Sequence, residues 1–232
     1  ASKLNVNFSD GEVFLDGDRV TDLIRTETAG NNASRVAAMP AVRAALLDWQ
    51  RRWDHMQQHA GQHLLSALLE DHHGYKTISF HLGQERVSID LHQASIDQET
   101  LRHVELEGNR IIQRHLPIHT RFVDEQQLEQ LRLRKPPAVS GEIRLVDMEG
   151  IDLNACGGTH PDNTAGIGML KILGTEKAKG GTRLYFLCGE RALEHFGELR
   201  NVSDALVGKL NAPLAELTQA TDNLLAEKSA AD

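Results

Sequence analysis

Residues Asp48 to Asp71, DWQRRWDHMQQHAGQHLLSALLED, predict the helix around which the rest of the chain is organised. Apolar residues recur there every three or four positions, which is the spacing of a buried helix face. They are Trp49, Trp53, Met56, Ala60, Leu64, Ala67 and Leu68. His59 and His63 lie four positions apart in this stretch, so their imidazoles project from one face about one turn apart. Taken alone, this pair fits either a metal-binding arm or a polar helix face.

The following segments predict an antiparallel sheet with helices beside it. TISFHL and RVSIDLH, at residues 77–82 and 86–92, alternate apolar and polar side chains around a turn, as a β-hairpin does. A capping box from Ser95 to Gln98 predicts the start of a helix that ends before Pro117. Further elements follow the same rules. They are strands at residues 118–123 and 142–148, a short helix at 124–134, and two strands joined by the basic turn KAKGGTR at 177–183.

Changes of pattern divide the chain into three parts and predict an α+β fold. Residues 1–47 predict an incomplete β-rich module, and residues 48–189 a mixed domain with helices against a largely antiparallel sheet. Residues 190–232 predict a helical tail in which Pro213 separates two helices. We expect this tail to form a helical hairpin or to join two copies, which predicts a monomer or a homodimer through the C-terminal helices.

A second pair of metal-binding residue types lies far from the first. Cys156 and His160 are four positions apart in a loop made pliable by Gly157 and Gly158. The thiolate of Cys156 and the imidazole of His160 join those of His59 and His63 in a His3Cys set. Such a set of ligands has the softness that suits zinc. HAGQH is not HExxH, so metalloprotease chemistry is disfavoured, and a deaminase would need a glutamate beside a ligand and a CxxC element.

The composition limits the classes of function. A net charge of -8 argues against a protein that coats nucleic acid, so we predict no DNA partner and RNA contacts through local patches. No run approaches the roughly 18 apolar residues of a membrane span, which predicts no membrane segment. Two cysteines give no disulfide framework and fit a reducing compartment; we expect the cytoplasm, with an organelle as the alternative. Cys188, in the apolar stretch YFLCG, is predicted to be a core residue.

Three stretches of this sequence resemble the AlaX proteins, the free-standing relatives of the alanyl-tRNA synthetase editing domain. They are DHMQQHAGQHLLSALL, TISFHLGQERVSIDL and NACGGTHPDNTAGIGMLKILGTEKAKGGTRLYF. The resemblance covers about Asp48 to Gly189. Editing domains of threonyl-tRNA synthetases share the HxxxH and CxxxH arms, but CGGTHPDNTAGIGMLKIL looks like the alanyl branch. Larger AlaX proteins carry a glycine-rich motif in an N-terminal β-barrel; residues 1–47 lack the motif, so we expect a partial barrel-like module there.

The resemblance implies a hydrolase that removes the wrong amino acid from mischarged tRNA(Ala). Its substrate would be Ser-tRNA(Ala), with Gly-tRNA(Ala) as a second candidate. The implied cofactor is Zn²⁺, held by His59, His63, Cys156 and His160. Zinc would either activate a bound water or orient the ester, and the sequence leaves both roles open. The alternatives are a non-catalytic zinc-containing module that binds tRNA and the editing region of a full alanyl-tRNA synthetase.

Candidate pocket residues come from the helix, the hairpin and the metal loop. Gln62, beside the second histidine, could hold a water or a ribose hydroxyl. Ser79 and His81 share one strand face by alternation, and with Asp90 they are candidates for reading the hydroxyl of serine. Thr159 precedes a ligand and could touch the substrate. For each, an ordinary structural hydrogen bond is the competing interpretation.

Two further groups of residues are candidates for supporting roles. Asp147 and Asp152 are candidate hydrogen-bond partners for a metal-binding imidazole. Two local basic patches are candidates for contacting tRNA phosphates, with solvated turns as the alternative. They are Lys177, Lys179 and Arg183 around the KAKGGTR turn, and Arg132, Arg134 and Lys135.

Overall fold

The computed structural model describes residues 6–9, 12–15, 17–24, 40–135 and 142–231. Its strands are β1 (Val6–Ser9), β2 (Glu12–Leu15), β3 (Asp18–Arg19), β4 (Thr77–Leu82), β5 (Val87–Leu91), β6 (Ile118–Val123), β7 (Ile143–Met148), β8 (Asp152–Ala155), β9 (Leu170–Ala178) and β10 (Gly181–Cys188). Its α-helices are α1 (Thr21–Ile24), α2 (Pro40–His73), α3 (Gln98–Gln113), α4 (Glu125–Glu129), α5 (Gly189–Leu210) and α6 (Leu217–Ala231). The predicted mixture of helices with antiparallel strands is confirmed.

The chain divides into two compact units, Ala1–Arg52 and Trp53–Asp232. In the first unit, β1, β2 and β3 form a three-stranded antiparallel sheet in that order. The buried Thr21 accepts a hydrogen bond from the backbone N–H of Val13, which ties the start of α1 to β2. The barrel-like character predicted for residues 1–47 is not established, because residues 25–39 lie outside the described part of the chain.

The second unit contains two antiparallel sheets. One has the strand order β4-β5-β10-β9 and the other β6-β7-β8. The buried face of α2 supplies Leu64, Leu65 and Leu69 to a hydrophobic core that also contains Ile89 of β5 and Phe186 of β10. All five side chains are fully buried, so α2 is fixed against the larger sheet and its histidines are held in place.

Several predicted boundaries differ from the observed ones. The helix predicted from Asp48 to Asp71 spans Pro40–His73. The cap of α3 was wrongly predicted: Asp97, not Ser95, accepts the hydrogen bond from the backbone N–H of Thr100. Asp97 is favoured because a carboxylate is a strong acceptor near the positive helix end.

The predicted core position of Cys188 is confirmed, because its side chain is fully buried. The packing of α5 with α6, or of these helices with a second copy, stays a prediction. Among the described helices, none combines the length and hydrophobicity that crossing a bilayer requires.

Candidate metal centre

Four side chains from two separate regions converge in the second unit. His59 and His63 lie on α2, Cys156 follows β8 directly, and His160 lies in the loop after it. Their donor atoms all lie within 4.8 Å of one another, an arrangement that could hold a metal ion. Cys156 Sγ is 3.5 Å from Nε2 of His59 and 3.5 Å from Nε2 of His160. The helical and loop arms that the sequence predicted therefore meet at one point.

The loop that carries Cys156 is shaped by a glycine and an arginine. A Cβ atom placed on Gly158 would lie 2.2 Å from Cε1 of His59, so a side chain there would displace the imidazole. Arg144 of β7 donates from Nη1 to the carbonyl oxygens of Cys156, at 2.7 Å, and Gly158, at 2.8 Å. These bonds fix the loop backbone beside the helix, so the thiol is positioned before any ion binds.

A chain of polar contacts holds His63 from behind. Its Nδ1 lies 2.7 Å from Oδ2 of Asp152, and both side chains are buried. Arg134 donates from Nε to the other carboxylate oxygen of Asp152 at 2.8 Å and pairs with Asp71 through both terminal nitrogens. Asn154 donates to both oxygens of Asp152. The carboxylate thus orients the ring with Nε2 towards the cluster, as partners of metal-binding histidines do.

Electrostatics in the cluster favour the metal-binding forms of Cys156 and His160 but oppose that of His63. Burial would raise the pKa of the Cys156 thiol, but hydrogen bonds with His160, His59 and His63 lower it to about 3, so the thiolate predominates at neutral pH. Burial lowers the pKa of His160, which keeps that imidazole neutral. Burial also acts to lower the pKa of His63, yet the bond to Asp152 raises it to about 9. A metal ion therefore competes with a proton at His63.

The spacing of the donor atoms fits the geometry of tetrahedral zinc. Tetrahedral zinc with Zn–S and Zn–N bonds of about 2.3 and 2.0 Å places sulfur and nitrogen about 3.5 Å apart. The two separations from Cys156 Sγ to His59 and His160 match this value. Nδ1 of His160 is buried with no hydrogen-bond partner among the described residues, and a charged imidazolium would be costly there. Three imidazoles and a thiolate therefore fit a borderline-soft divalent cation.

Adjacent glycines of the loop give a matched test of this geometry. We expect Gly158→Ala to weaken zinc binding by about 10- to 100-fold, because its Cβ collides with the His59 ring. Gly157→Ala should bind zinc as the parent protein does, because nothing lies within 4 Å of its added Cβ. Competition titration with a chromophoric chelator measures both affinities. Equal affinities would show that the loop yields and that Gly158 is not required.

A cavity of 210 Å³ opens beside the cluster. His59, His63 and Cys156 form part of its wall, and the ring of Phe80 stacks on His59 with centroids 5.6 Å apart. The other wall residues are mostly polar. They are Gln62, Ser66, Glu70, Thr77, Ser79, Arg134, Lys135, Asn154 and Ala155.

Hydroxyl and amide groups line one side of this cavity. Ser66 Oγ accepts hydrogen bonds from Nε2 of Gln62, at 2.9 Å, and from Oγ1 of Thr77, at 2.7 Å. These two bonds use both lone pairs of the oxygen, and its proton has no acceptor within the described part of the chain, so Ser66 can donate to a substrate. The amide oxygen of Gln62 is likewise left to accept.

The predicted pocket residues are only partly gathered at this cavity. Ser79 lines it and donates to Oδ2 of Asp90 at 2.7 Å, while Nε2 of His81 lies 3.0 Å from the same oxygen. Hydrogen bonds from Arg183 hold the pKa of Asp90 well below its usual range. His81 and Asp90 thus form a network behind Ser79, outside the wall. Thr159 is exposed and also lies outside the wall.

The KAKGGTR hairpin separates its three basic residues. Lys177 and Lys179 are exposed near the turn between β9 and β10. Arg183 is different, because its guanidinium donates to both carboxylate oxygens of Asp90 across β10 and β5. Cross-strand pairing thus engages the side chain of Arg183 with Asp90, and its contact with tRNA stays a prediction.

The second basic patch is also divided. Arg132 and Lys135 are exposed, and Lys135 lies at the wall of the cavity. Arg134 is largely buried and engaged with Asp152 and Asp71, so its charge is neutralised within the protein. Asp147, the other candidate partner of an imidazole, makes no hydrogen bond to a ligand histidine among the described residues; it lies opposite His119 in β6.

Sequence reasoning missed several residues at this site. Arg144, Phe80 and Asn154 each contact a ligand, its loop or its carboxylate partner, and Ser66 accepts a hydrogen bond from Gln62 at the cavity wall. The sequence could have indicated Arg144, because alternation in EIRLVDM places it on the same strand face as the apolar Val146 and Met148. A charged residue on an inward-facing strand position requires a polar partner.

Comparisons with known proteins place this chain in a family. A model described as "Threonyl and Alanyl tRNA synthetase second additional domain" matches residues 143–185, which include Cys156 and His160. The alanyl-tRNA editing protein AlaX-M of Methanosarcina acetivorans is 31% identical over 168 residues, covering 69% of this chain and 68% of that protein. The chain belongs to the alanyl-tRNA editing protein family. Two thirds of one relative is covered at this identity, which a shared motif alone would not produce.

Other alanyl-tRNA editing proteins extend the match. Aarsd1-A of Xenopus laevis is 36% identical over 240 residues, covering 96% of this chain and 58% of that protein. AlaX-L of Pyrococcus horikoshii is 35% identical over 176 residues, covering 73% of this chain and 43% of that protein. The chain thus spans between about two fifths and two thirds of the length of these editing proteins.

A second family model matches the N-terminal part of this alanyl-tRNA editing family member. The model described as "Cytidylate kinase" covers residues 1–61, about a quarter of the chain. The matched stretch has no G-x-x-x-x-G-K-[ST] loop, which is the element that cradles the phosphates in P-loop kinases. The likeness therefore concerns this segment alone and does not include that phosphate-binding element.

Proposed function

We propose that the protein is a zinc-dependent hydrolase that cleaves the ester of mischarged tRNA(Ala), with Ser-tRNA(Ala) as its principal substrate and Gly-tRNA(Ala) as a second one. One observation carries the proposal: three members of the His3Cys cluster, His59, His63 and Cys156, form part of the wall of a small cavity that hydroxyl and amide side chains also line. Membership of the alanyl-tRNA editing family supports the same class of substrate. A purely structural zinc site would not need an adjoining cavity.

Residues of the chain divide the tasks of hydrolysis. His59, His63, Cys156 and His160 would hold the ion, and Asp152 keeps the His63 ring oriented. When bound, zinc supplies Lewis-acid polarisation of an ester carbonyl or a bound water of lowered pKa. Gln62 lines the cavity with a free amide oxygen, so it is placed to accept a hydrogen bond from a water or a ribose hydroxyl. An aminoacyl ester is already activated, and positioning supplies much of the remaining rate.

Selection of serine follows from the hydroxyl groups of the wall. Ser66 has a proton to donate, and Ser79 extends the polar wall on β4. The hydroxyl of a misacylated serine can accept a hydrogen bond from the buried Ser66, whereas the methyl group of alanine leaves the proton of Ser66 without an acceptor. Sites of this kind disfavour the analogue that lacks the hydroxyl. The candidate contacts for tRNA phosphates are Lys135, at the cavity wall, and the exposed Arg132, Lys177 and Lys179.

Single-turnover hydrolysis tests this proposal. We expect release of serine from Ser-tRNA(Ala) to exceed release of alanine from Ala-tRNA(Ala) by at least about 100-fold. Removal of the metal with a chelator should stop serine release, and added zinc should restore it. Serine release that is indifferent to chelation would contradict the role given to the metal. Equal release of both amino acids would contradict the selectivity.

A second function is favoured by the ligand count. Four protein ligands fill tetrahedral zinc, as in structural sites, whereas catalytic zinc sites keep a position open. The chain would then be a zinc-containing module that binds tRNA(Ala) without turnover, or the editing region of a larger synthetase. Tight binding of tRNA by zinc-loaded protein with no release of serine would establish the non-catalytic module.

A further inference from the structure

Three residues form a row across the sheet β6-β7-β8. Phe122 of β6 is paired with Arg144 of β7. The backbone N–H of Cys156 donates to the carbonyl oxygen of Arg144 at 3.1 Å, one position beyond the pairing of Leu145 with Ala155. Residues opposite one another in antiparallel strands share a face of the sheet. Phe122, Arg144 and Cys156 therefore lie side by side on the face that carries the metal ligand.

Phe122 is an unusual residue for this position. Its side chain is 62% exposed, in a chain whose aromatic content is 4%. Further along the same face, Ile118 is buried, and so are Val146 and Met148 of β7. The face is thus covered by the core at one end and open to solvent at the other, beside the metal loop. An exposed aromatic ring offers a flat surface on which a nucleic-acid base can stack.

Arg144 adds a positive charge beside this ring. Among the described residues, only its Nη1 has hydrogen-bond partners, the carbonyl oxygens of Cys156 and Gly158. Within the described part of the chain, no carboxylate pairs with Arg144, in contrast to Arg134 and Arg183. A guanidinium has five N–H donors, so Nη2 and Nε remain able to bind a phosphate or a ribose oxygen. The positive charge of Arg144 therefore complements the negative charge of a nucleotide phosphate.

We propose that Phe122 and Arg144 form a subsite for the 3′-terminal nucleotide of the tRNA, with its base on the Phe122 ring and its ribose-phosphate at Arg144. The inference rests on the proposed function, because it identifies the part of the substrate next to the ester. Neighbouring strands are about 4.8 Å apart, so Phe122 lies about 10 Å from Cys156 along the row. A nucleotide whose base lies on Phe122 and whose ribose extends over this distance would place the aminoacyl ester at the metal cluster.

Binding of an uncharged minihelix tests the subsite without any hydrolysis. The probe is a fluorescent acceptor-stem minihelix of tRNA(Ala) ending in CCA, compared with one that lacks the terminal adenosine. Phe122→Ala should bind the complete minihelix about 5- to 100-fold more weakly. It should bind the shortened one as the parent protein does. Phe122→Trp should retain binding, because it keeps an aromatic face.

The matched control is Phe196→Ala on α5. Phe196 is 61% exposed, so the same substitution removes the same ring from an equally exposed position. Equal binding of the complete minihelix by Phe122→Ala and Phe196→Ala would overturn the subsite. In deacylation, Phe122→Ala should raise KM for Ser-tRNA(Ala) at nearly constant kcat.

The two proposals fail in different ways. Parent protein that binds the minihelix through Phe122 but releases no serine would overturn the hydrolase and support the subsite. Parent protein that releases serine, with a Phe122→Ala variant of unchanged KM and minihelix affinity, would support the hydrolase and overturn the subsite.

Discussion

Cys156→Ala should lose the bound metal and, with it, the hydrolysis of Ser-tRNA(Ala). Cys156 is the only thiol in the cluster, and its sulfur lies between the rings of His59 and His160. Without the thiolate, three imidazoles remain and the affinity for zinc should fall by at least about 100-fold. Zinc content after gel filtration and the single-turnover rate of serine release measure the two effects.

Cys188→Ala provides the matched control for this loss. It removes the other thiol of the chain, which is fully buried in the core and lies outside the metal cluster. We expect Cys188→Ala to retain zinc and activity while its unfolding midpoint falls slightly because of the small cavity. A zinc-free Cys156→Ala protein that still released serine at the parent rate would refute the metal-dependent mechanism.

Asp152→Asn should weaken both metal binding and folding. The substitution removes the charge that orients His63 and pairs with Arg134, so zinc affinity should fall by about 10- to 100-fold. Breaking a buried ion pair costs about 3 kcal/mol of unfolding free energy, at the low end of the usual range because Arg134 keeps Asp71 as a partner. Chelator competition and urea denaturation of the metal-free protein separate the two effects.

Asp147→Asn is the corresponding control, because it makes the same change in the neighbouring strand β7 without a bond to a ligand histidine. Its zinc affinity should equal that of the parent, and its stability should change by less than about 0.5 kcal/mol. If both variants bound zinc equally well, Asp152 would have no role in orienting His63.

Local sequence patterns predicted much of the second unit, because short-range physics governs them. Hydrophobic spacing predicted the helix through His59 and His63, and alternation predicted the β4-β5 hairpin. Each metal-binding arm spans only five residues, so the geometry within an arm follows from the helix or from a short loop. The cap at Asp97 was missed because Ser95 and Gln98 fit the capping-box pattern, whereas Asp97 and Thr100 do not.

Contacts between distant residues were decided by the tertiary structure. The sequence by itself determined most of the elements, but not β8, together with the two metal-binding arms and the core position of Cys188, since each of these depends on neighbouring residues. It did not determine that Arg134 would face Asp152, that Arg183 would face Asp90, or that Phe122, Arg144 and Cys156 would share a row. These pairings depend on strand order and register, and opposite charges or apolar faces in the sequence are compatible with many registers. Packing of α2 against the sheets selects one register and thereby assembles the site.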